Sequence, residues 1–235
     1  MTVRTLAASI LGQAIDPKLC PGCQHQLHSS QLFCSRCCQR LTAVNNACQL
    51  CGLENQSGGD ICAVCLYDPP RWQSLVAPLR YQGLARELLI DLKFSESLYL
   101  ANTLVSHVIG QFSRNDNLPE VLLPVPLHHH RFIDRGFNQA LEIARILSDQ
   151  LTIPLETQSL QRIRHTEAQA GLTANQREKN ILKAFTCDNK AGYRHVAVVD
   201  DIITTGSTAN EITKTLHRAG VKTVEIWGLA RVVKC

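Results

Sequence analysis

Residues 196–208 read VAVVDDIITTGST, and the fold of the chain turns on this stretch. Val196-Ala197-Val198-Val199 is apolar at every position, the pattern of a strand covered on both faces. It runs into Asp200-Asp201, then through Thr204-Thr205-Gly206-Ser207-Thr208 into a helical pattern that stops at Gly220. A last strand is expected over 223–233. A strand, a tight loop of small residues, a helix and a second strand make a parallel crossover unit.

Upstream of this unit the same alternation continues. Apolar residues recur at helical spacing over 84–94 and 98–112, for example Ala101, Leu104, Val105, Val108 and Phe112. Residues 121–126 (VLLPVP) form a short continuous apolar run, read as a buried strand, and a helix is expected at about 137–151. The expectation is an α/β fold with a parallel sheet flanked by helices. In such sheets ligands sit at the carboxyl ends of the strands, where the Asp pair and the Gly-containing loop fall.

That loop has a chemistry of its own. Its small residues let consecutive backbone N–H groups converge, its hydroxyls add donors, and the following helix contributes the positive end of its dipole, which together make a phosphate cradle. The GK[ST] lysine of a nucleoside-triphosphate loop is missing. Two adjacent carboxylates precede the cradle instead, suited to sugar hydroxyls or to water-held Mg²⁺. A phosphate on one side and a diol on the other describe ribose 5-phosphate.

Nine of the 11 cysteines lie between 20 and 65. Eight of them form the pairs Cys20/Cys23, Cys34/Cys37, Cys48/Cys51 and Cys62/Cys65, which begin 14 residues apart throughout. Each C-x-x-C turn presents two thiolates, so eight ligands make two tetrahedral zinc sites. Sequential pairing (20/23/34/37 with 48/51/62/65) needs only local hairpins and is preferred; a cross-brace would join 20/23 with 48/51 and 34/37 with 62/65. Four-cysteine sites leave no open coordination position, so the zinc is structural. A disulfide scaffold fits poorly with an odd number of cysteines, with the adjacent Cys37 and Cys38, and with a reducing cytosol. Cys38, Cys187 and Cys235 fall outside the repeat and are read as non-ligands.

Composition bounds the rest. The 235 residues are 45% hydrophobic and 19% charged, values of a folded globular chain. They leave room for one core and a small appendage, divided as a segment 1–19, a double zinc ribbon 20–70 ending at Pro69-Pro70, and a core 71–235. The net charge of +4 is too mild to argue a dedicated nucleic-acid binder, and since 1–70 carry four residues of each sign the excess falls in 71–235. No apolar run approaches the roughly 18 residues that cross a bilayer, so no membrane insertion is expected. Gly12-Gln13 cut short the apolar stretch after Arg4, so the expected location is cytoplasmic.

VAVVDDIITTGST resembles the phosphoribosyl-pyrophosphate (PRPP) motif of type I phosphoribosyltransferases. The segments PVPL (124–127) with RGFNQ (135–139), and Arg164-His165-Thr166 with Gln169, Gly171-Leu172, Arg177 and Asn180, narrow the resemblance to the ComF/GntX family, competence-associated proteins with an N-terminal double zinc ribbon. The resemblance covers about 20–235. It implies a type I phosphoribosyltransferase-like core in which Asp200 and Asp201 hold the ribose hydroxyls and Thr204, Thr205, Gly206, Ser207 and Thr208 bind the 5′-phosphate. A pyrophosphate loop would follow the 121–125 strand, at Leu127, His128, Arg131 and Arg135; His129 and His130 complete with His128 a run of three, which is more often a solvated turn than a set of ligands. A closing loop over 162–183 would bring in Arg164 and Arg177, and the stretch around Tyr81 to Phe94, with Lys93, would form a hood.

Three functions follow from the resemblance. One is a Mg²⁺-dependent phosphoribosyltransferase of DNA uptake or utilisation with PRPP as donor. Another is a non-enzymatic adaptor holding single-stranded DNA or a DNA-uptake protein. The third is a PRPP sensor without turnover. The adaptor would use the ribbons, the other two the core, and the ribbon fold itself requires metal. Elemental analysis of purified protein should return two zinc ions per chain, and fewer than one would overturn the ribbon.

Overall fold

The computed structural model describes residues 19–28, 30–94, 98–113, 117–127, 136–164 and 181–233. In chain order it begins with two short helices, α1 (Ser35–Arg40) and α2 (Ala63–Tyr67), and two short strands, β1 (Ser74–Val76) and β2 (Leu79–Arg80). Helices α3 (Gly83–Phe94) and α4 (Leu98–Val108) follow, then β3 (Val121–Pro124) and α5 (Gln139–Leu151). After β4 (Leu160–Arg162) and β5 (Phe185–Cys187) come β6 (His195–Ile203), α6 (Ser207–Arg218) and β7 (Thr223–Arg231).

The main sheet has the order β1-β7-β6-β3, with β2 also on β7, and every pairing in it is parallel. β1 and β2 act as one edge strand broken between them: β1 pairs at Glu225–Trp227 and β2 at Ala230 and Arg231. Pro78 lies in the break, where its missing N–H cannot serve a ladder. β6, α6 and β7 form the expected crossover unit.

The two faces of the sheet follow the period of two along each strand. Leu122, Ala197, Val199, Trp227 and Leu229 join one core, against Leu84, Leu88, Leu104, Ile143 and Leu147 of α3, α4 and α5. Val121, Leu123, Val196, Val198, Val224 and Ile226 join the other, against Ile212 and Leu216 of α6. Burial of each Val, Leu or Ile among them contributes about 1.5–3 kcal/mol, and two covered faces explain why these strands read as unbroken apolar runs. Among the described residues no helix is long and apolar enough to cross a membrane.

Element ends differ from the periodic pattern for local reasons. The 98–112 run is helical only to Val108 and then tightens into a 3₁₀ turn, Ile109–Gln111, around Gly110. α5 starts at Gln139, because the Asn138 side chain accepts from Ala140 N at 3.1 Å and caps the helix there. The antiparallel pair β4–β5, in register from Leu160↔Cys187 to Arg162↔Phe185, gives the 162–183 stretch a two-stranded base.

The cysteine segment shares the first core. Cys20, Leu27, Phe33, Cys37 and Leu41 are buried with Leu79, Leu84 and Leu88. It also lines the β2 edge, through an antiparallel bridge Ala43↔Leu79 and the bonds Val44 N to Pro78 O and Arg80 N to Thr42 O, each 2.8 Å.

One tight spot sits at the middle of the β6–β7 ladder. Gly228 pairs with Asp200, and a methyl group on it would lie 2.8 Å from Ile203 Cγ1. Gly228→Ala should therefore destabilise the chain by about 1–3 kcal/mol through overpacking. Urea denaturation checks this, and an unchanged midpoint would mean that Ile203 gives way freely.

Candidate metal clusters and ligand site

The eight repeat cysteines gather in two groups, Cys20/Cys23/Cys34/Cys37 and Cys48/Cys51/Cys62/Cys65, and within each the sulfur atoms all lie within 4.8 Å of one another. This is the sequential arrangement; the cross-brace is not formed. The 14-residue sequence repeat becomes a 28-residue structural one. The first pair of each group sits on a turn closed by equivalent bonds, Cys20 N to His25 O and Cys48 N to Leu53 O, both 2.8 Å. That turn continues into a residue of positive φ, Gln24 or Gly52. The second pair opens a short helix, α1 after Cys34 and α2 after Cys62.

The donor set fits zinc. Backbone N–H groups aim at sulfur, Cys34 N to Cys20 Sγ at 3.4 Å and Cys62 N to Cys48 Sγ at 3.3 Å, the outer-shell bonds that support thiolates. The backbone N–H of Cys37 draws the Cys34 thiol down to about 7. Burial raises Cys48, but N–H donors from Cys62, Cys51 and Leu50 outweigh it and bring that thiol to about 7. Burial pushes Cys37 and Cys65 upward, a cost that a metal ion would offset. Cys38 is exposed and faces Phe33 O, and Cys187 lies on β5; neither belongs to a cluster.

The second group of interest lies at the carboxyl end of β6. Both aspartates are inside the strand, whose last pairing with β7 is Ile203↔Arg231. The ladder runs through Asp200↔Gly228, passes over Asp201 and resumes at Ile202↔Ala230. There the carboxylates serve the backbone: Asp200 Oδ1 accepts from Asp201 N at 2.9 Å and Asp201 Oδ1 from Ile202 N at 2.8 Å. Lys93 Nζ, from α3, stands 3.4 Å from Asp201 Oδ2, where the hood was expected. Asp200 keeps part of its surface accessible, yet its carboxyl is held well above the usual range, first by desolvation and then by the charge of Asp201.

Beyond Ile203 the chain bends through Thr204 and Thr205 to Gly206, which takes φ +81° and caps α6. Thr205 Oγ1 and Ser207 Oγ are 2.8 Å apart. A methyl group at Gly206 would meet Trp72 Cη2 at 3.0 Å, so both the backbone and the neighbouring ring require glycine here. The result is a turn of small residues leading into the N-terminus of a 12-residue helix, with the carboxylate pair just before it.

β3 lies beside β6, so Leu127 follows the neighbouring carboxyl end; Val125 N still bonds Val199 O at 2.8 Å. Asn138, the cap of α5, also donates from Nδ2 to Val125 O at 3.1 Å and so ties the start of α5 to the chain just past β3. Arg164 is exposed just past β4. His128, His129, His130, Arg131, Arg135, Arg177 and Cys235 lie outside the described residues.

Two residues at this end were not singled out as site residues from sequence. Trp72 is buried with its ring on Gly206, the core packing its size favours. Arg231 is buried at the end of β7, beneath the loop. A lone arginine in the run IWGLARVV (226–233) was the available signal.

No protein-family model matches the chain. It is 36% identical over 220 residues to Competence protein F of Haemophilus influenzae, covering 90% of this chain and 96% of that one. With DNA utilization protein YhgH of Salmonella typhimurium it shares 34% over 223 residues, covering 92% and 98%. Among solved structures, adenine phosphoribosyltransferase from Leishmania tarentolae is similar with a TM-score of 0.37 and 14% identity, over 60% of this chain and 74% of that one. On the first two matches, which span nearly the whole of each chain, the protein belongs to the competence protein F (ComF) family.

Proposed function

We propose that this chain binds PRPP at the carboxyl ends of β6 and β3 and transfers its phosphoribosyl group to an acceptor, as a phosphoribosyltransferase-like protein of DNA utilisation. The observation that carries the reading is the juxtaposition of the Asp200-Asp201 pair with the Gly206 turn and the N-terminus of α6. The 5′-phosphate would take the amides and hydroxyls of residues 204–208. The ribose hydroxyls would donate to Asp200 and Asp201, with Lys93 orienting the latter. The pyrophosphate would lie toward Leu127 and the segment 128–135, with Arg164 and Arg177 carried in by the stretch on the β4–β5 base.

Bound Mg²⁺ would neutralise the leaving pyrophosphate, and the carboxylate pair suits it through water. Displacement at C1 asks the protein chiefly for positioning and charge stabilisation. The ladder under Asp200 would supply the positioning, and Arg164 and Arg177 the charge. We further propose zinc in both cysteine clusters, a ribbon domain at 20–70 ahead of a core at 71–235, and a cytoplasmic location. The role in DNA use is carried over from the relatives' names.

One feature favours an adaptor role beside or in place of turnover. Val64, Leu66 and Tyr67 stand 74%, 70% and 94% exposed on α2 around Cys65 of the second cluster, an apolar surface that a DNA-uptake protein or single-stranded DNA could cover.

Calorimetric titration of PRPP with Mg²⁺ into zinc-loaded protein separates these readings. Saturable binding is expected for the wild type, weaker binding for ribose 5-phosphate, and none for the double variant Asp200→Asn/Asp201→Asn. No PRPP binding, with single-stranded DNA retained equally by both proteins, would leave the adaptor alone. The same aspartate gives a stability signature. Because the folded protein raises the Asp200 carboxyl, the native state holds more protons, and stability falls as pH rises from the ordinary carboxylate value of about 4 through the folded value. Asp200→Asn should then melt higher than wild type at pH 7, by about 2–4 °C for each kcal/mol relieved. The gap should close toward pH 4, and a variant that melts lower at pH 7 would show that Asp200 supports the fold.

A further inference from the structure

The second cysteine cluster and the phosphate loop are joined by two buried side chains. Trp72 donates from Nε1 to Leu50 O, inside the Cys48–Cys51 turn, at 2.6 Å, and its ring covers Gly206 of the loop. Arg231 donates from Nε to Cys51 O at 2.8 Å and from Nη1 to Ile203 O at 2.9 Å and to Thr204 O. Leu75 N to Gln49 O, 2.8 Å, ties the same turn to β1. The first cluster rests elsewhere: a methyl at Gly22 would touch Leu84 of α3 at 2.9 Å, and Tyr99 of α4 donates to Leu19 O at 3.5 Å.

The direction of the Arg231 bonds matters. Every described peptide bond is trans, so the C=O of one residue and the N–H of the next point opposite ways. The guanidinium draws the Thr204 carbonyl toward itself and shares the Ile203 carbonyl with Val232 N, which lies 2.9 Å from it, so the N–H groups of Thr204 and Thr205 point away from the guanidinium. A charged donor in a buried setting makes these bonds strong, and its charge would be answered by the anionic thiolates of the turn once they hold zinc.

We propose that Arg231 and Trp72 are positioning residues that couple the Cys48/Cys51/Cys62/Cys65 cluster to the 204–208 loop: the loop amides are aimed while the turn is folded on its metal, and phosphate in the loop holds that metal in return. The return half rests on the loop being the phosphate site; the first half does not. Coupling of this kind is reciprocal for binding equilibria.

The test uses full-length, zinc-loaded protein. Hydrogen exchange without ligand should show amides 204–208 opening about tenfold faster in Arg231→Met than in wild type, with amides 196–199 unchanged as the control for general loosening. Trp72→Phe, which keeps a ring over Gly206 and loses only the bond to Leu50, should move the same amides in the same direction. In the second arm a chelator removes zinc with and without PRPP and Mg²⁺, and with inorganic phosphate. PRPP should slow loss of one of the two zinc equivalents in wild type, about tenfold, and of neither in Arg231→Met. Equal loop exchange in the wild type and both variants overturns the proposal, as does PRPP protecting both zinc ions alike. If wild type binds no PRPP while Arg231→Met still frees the loop, the coupling stands and the phosphoribosyl reading falls.

Discussion

The parallel ladder between β6 and β7 is the constraint on which the other features depend. It pairs His195 with Thr223 at one end and Ile203 with Arg231 at the other, and both strands are buried along most of their length. Once it forms, Asp200 stands over Gly228, the loop leaves the sheet beside the end of β7, and Arg231 lies under that loop without further adjustment. The carboxylate pair then occupies the place where β6 has outrun β3 and needs side-chain acceptors for its own backbone. Site and scaffold are set by one register, and a one-residue slip would send both aspartates to the wrong faces.

The strands and helices that bury a full stripe were legible because burial imposes period. The runs 84–94, 121–125 and 196–199 fall within α3, β3 with the residue after it, and β6. What escaped is what burial does not pattern. β1 and β2 hold three and two residues around Pro78, too short for alternation to show. The 14-residue spacing of the cysteines counts ligands well, but it is blind to the alternation of turn and helix that makes the true unit twice as long.

The ligand end divides in the same way. Asp200, Asp201 and Gly206 are readable because their chemistry is local: adjacent carboxylates, then a residue free to take positive φ at a helix start. Trp72 and Arg231 act across more than twenty residues each, on Leu50 and on Ile203, and no linear spacing encodes that. Lys93 is intermediate, since its segment was expected above the site while its partner, Asp201, emerges only from the packing of α3 on the sheet.

The position of the cysteine segment answers a problem the sheet itself creates. An α/β sheet with an edge as short and broken as β1–β2 leaves unpaired backbone groups beside its ligand end. Residues 42–44 pair with that edge, and the Cys48–Cys51 turn sits against β1 and beneath the loop. A stretch of this size has little apolar area of its own, so its rigidity must come from elsewhere, and the two four-cysteine clusters would supply it on closing around zinc. A flexible cover would protect the edge but could not fix the loop carbonyls in place. A metal-stiffened one would do both, which gives a physical reason for a closed cluster at Cys48/Cys51/Cys62/Cys65, the one whose turn reaches the loop.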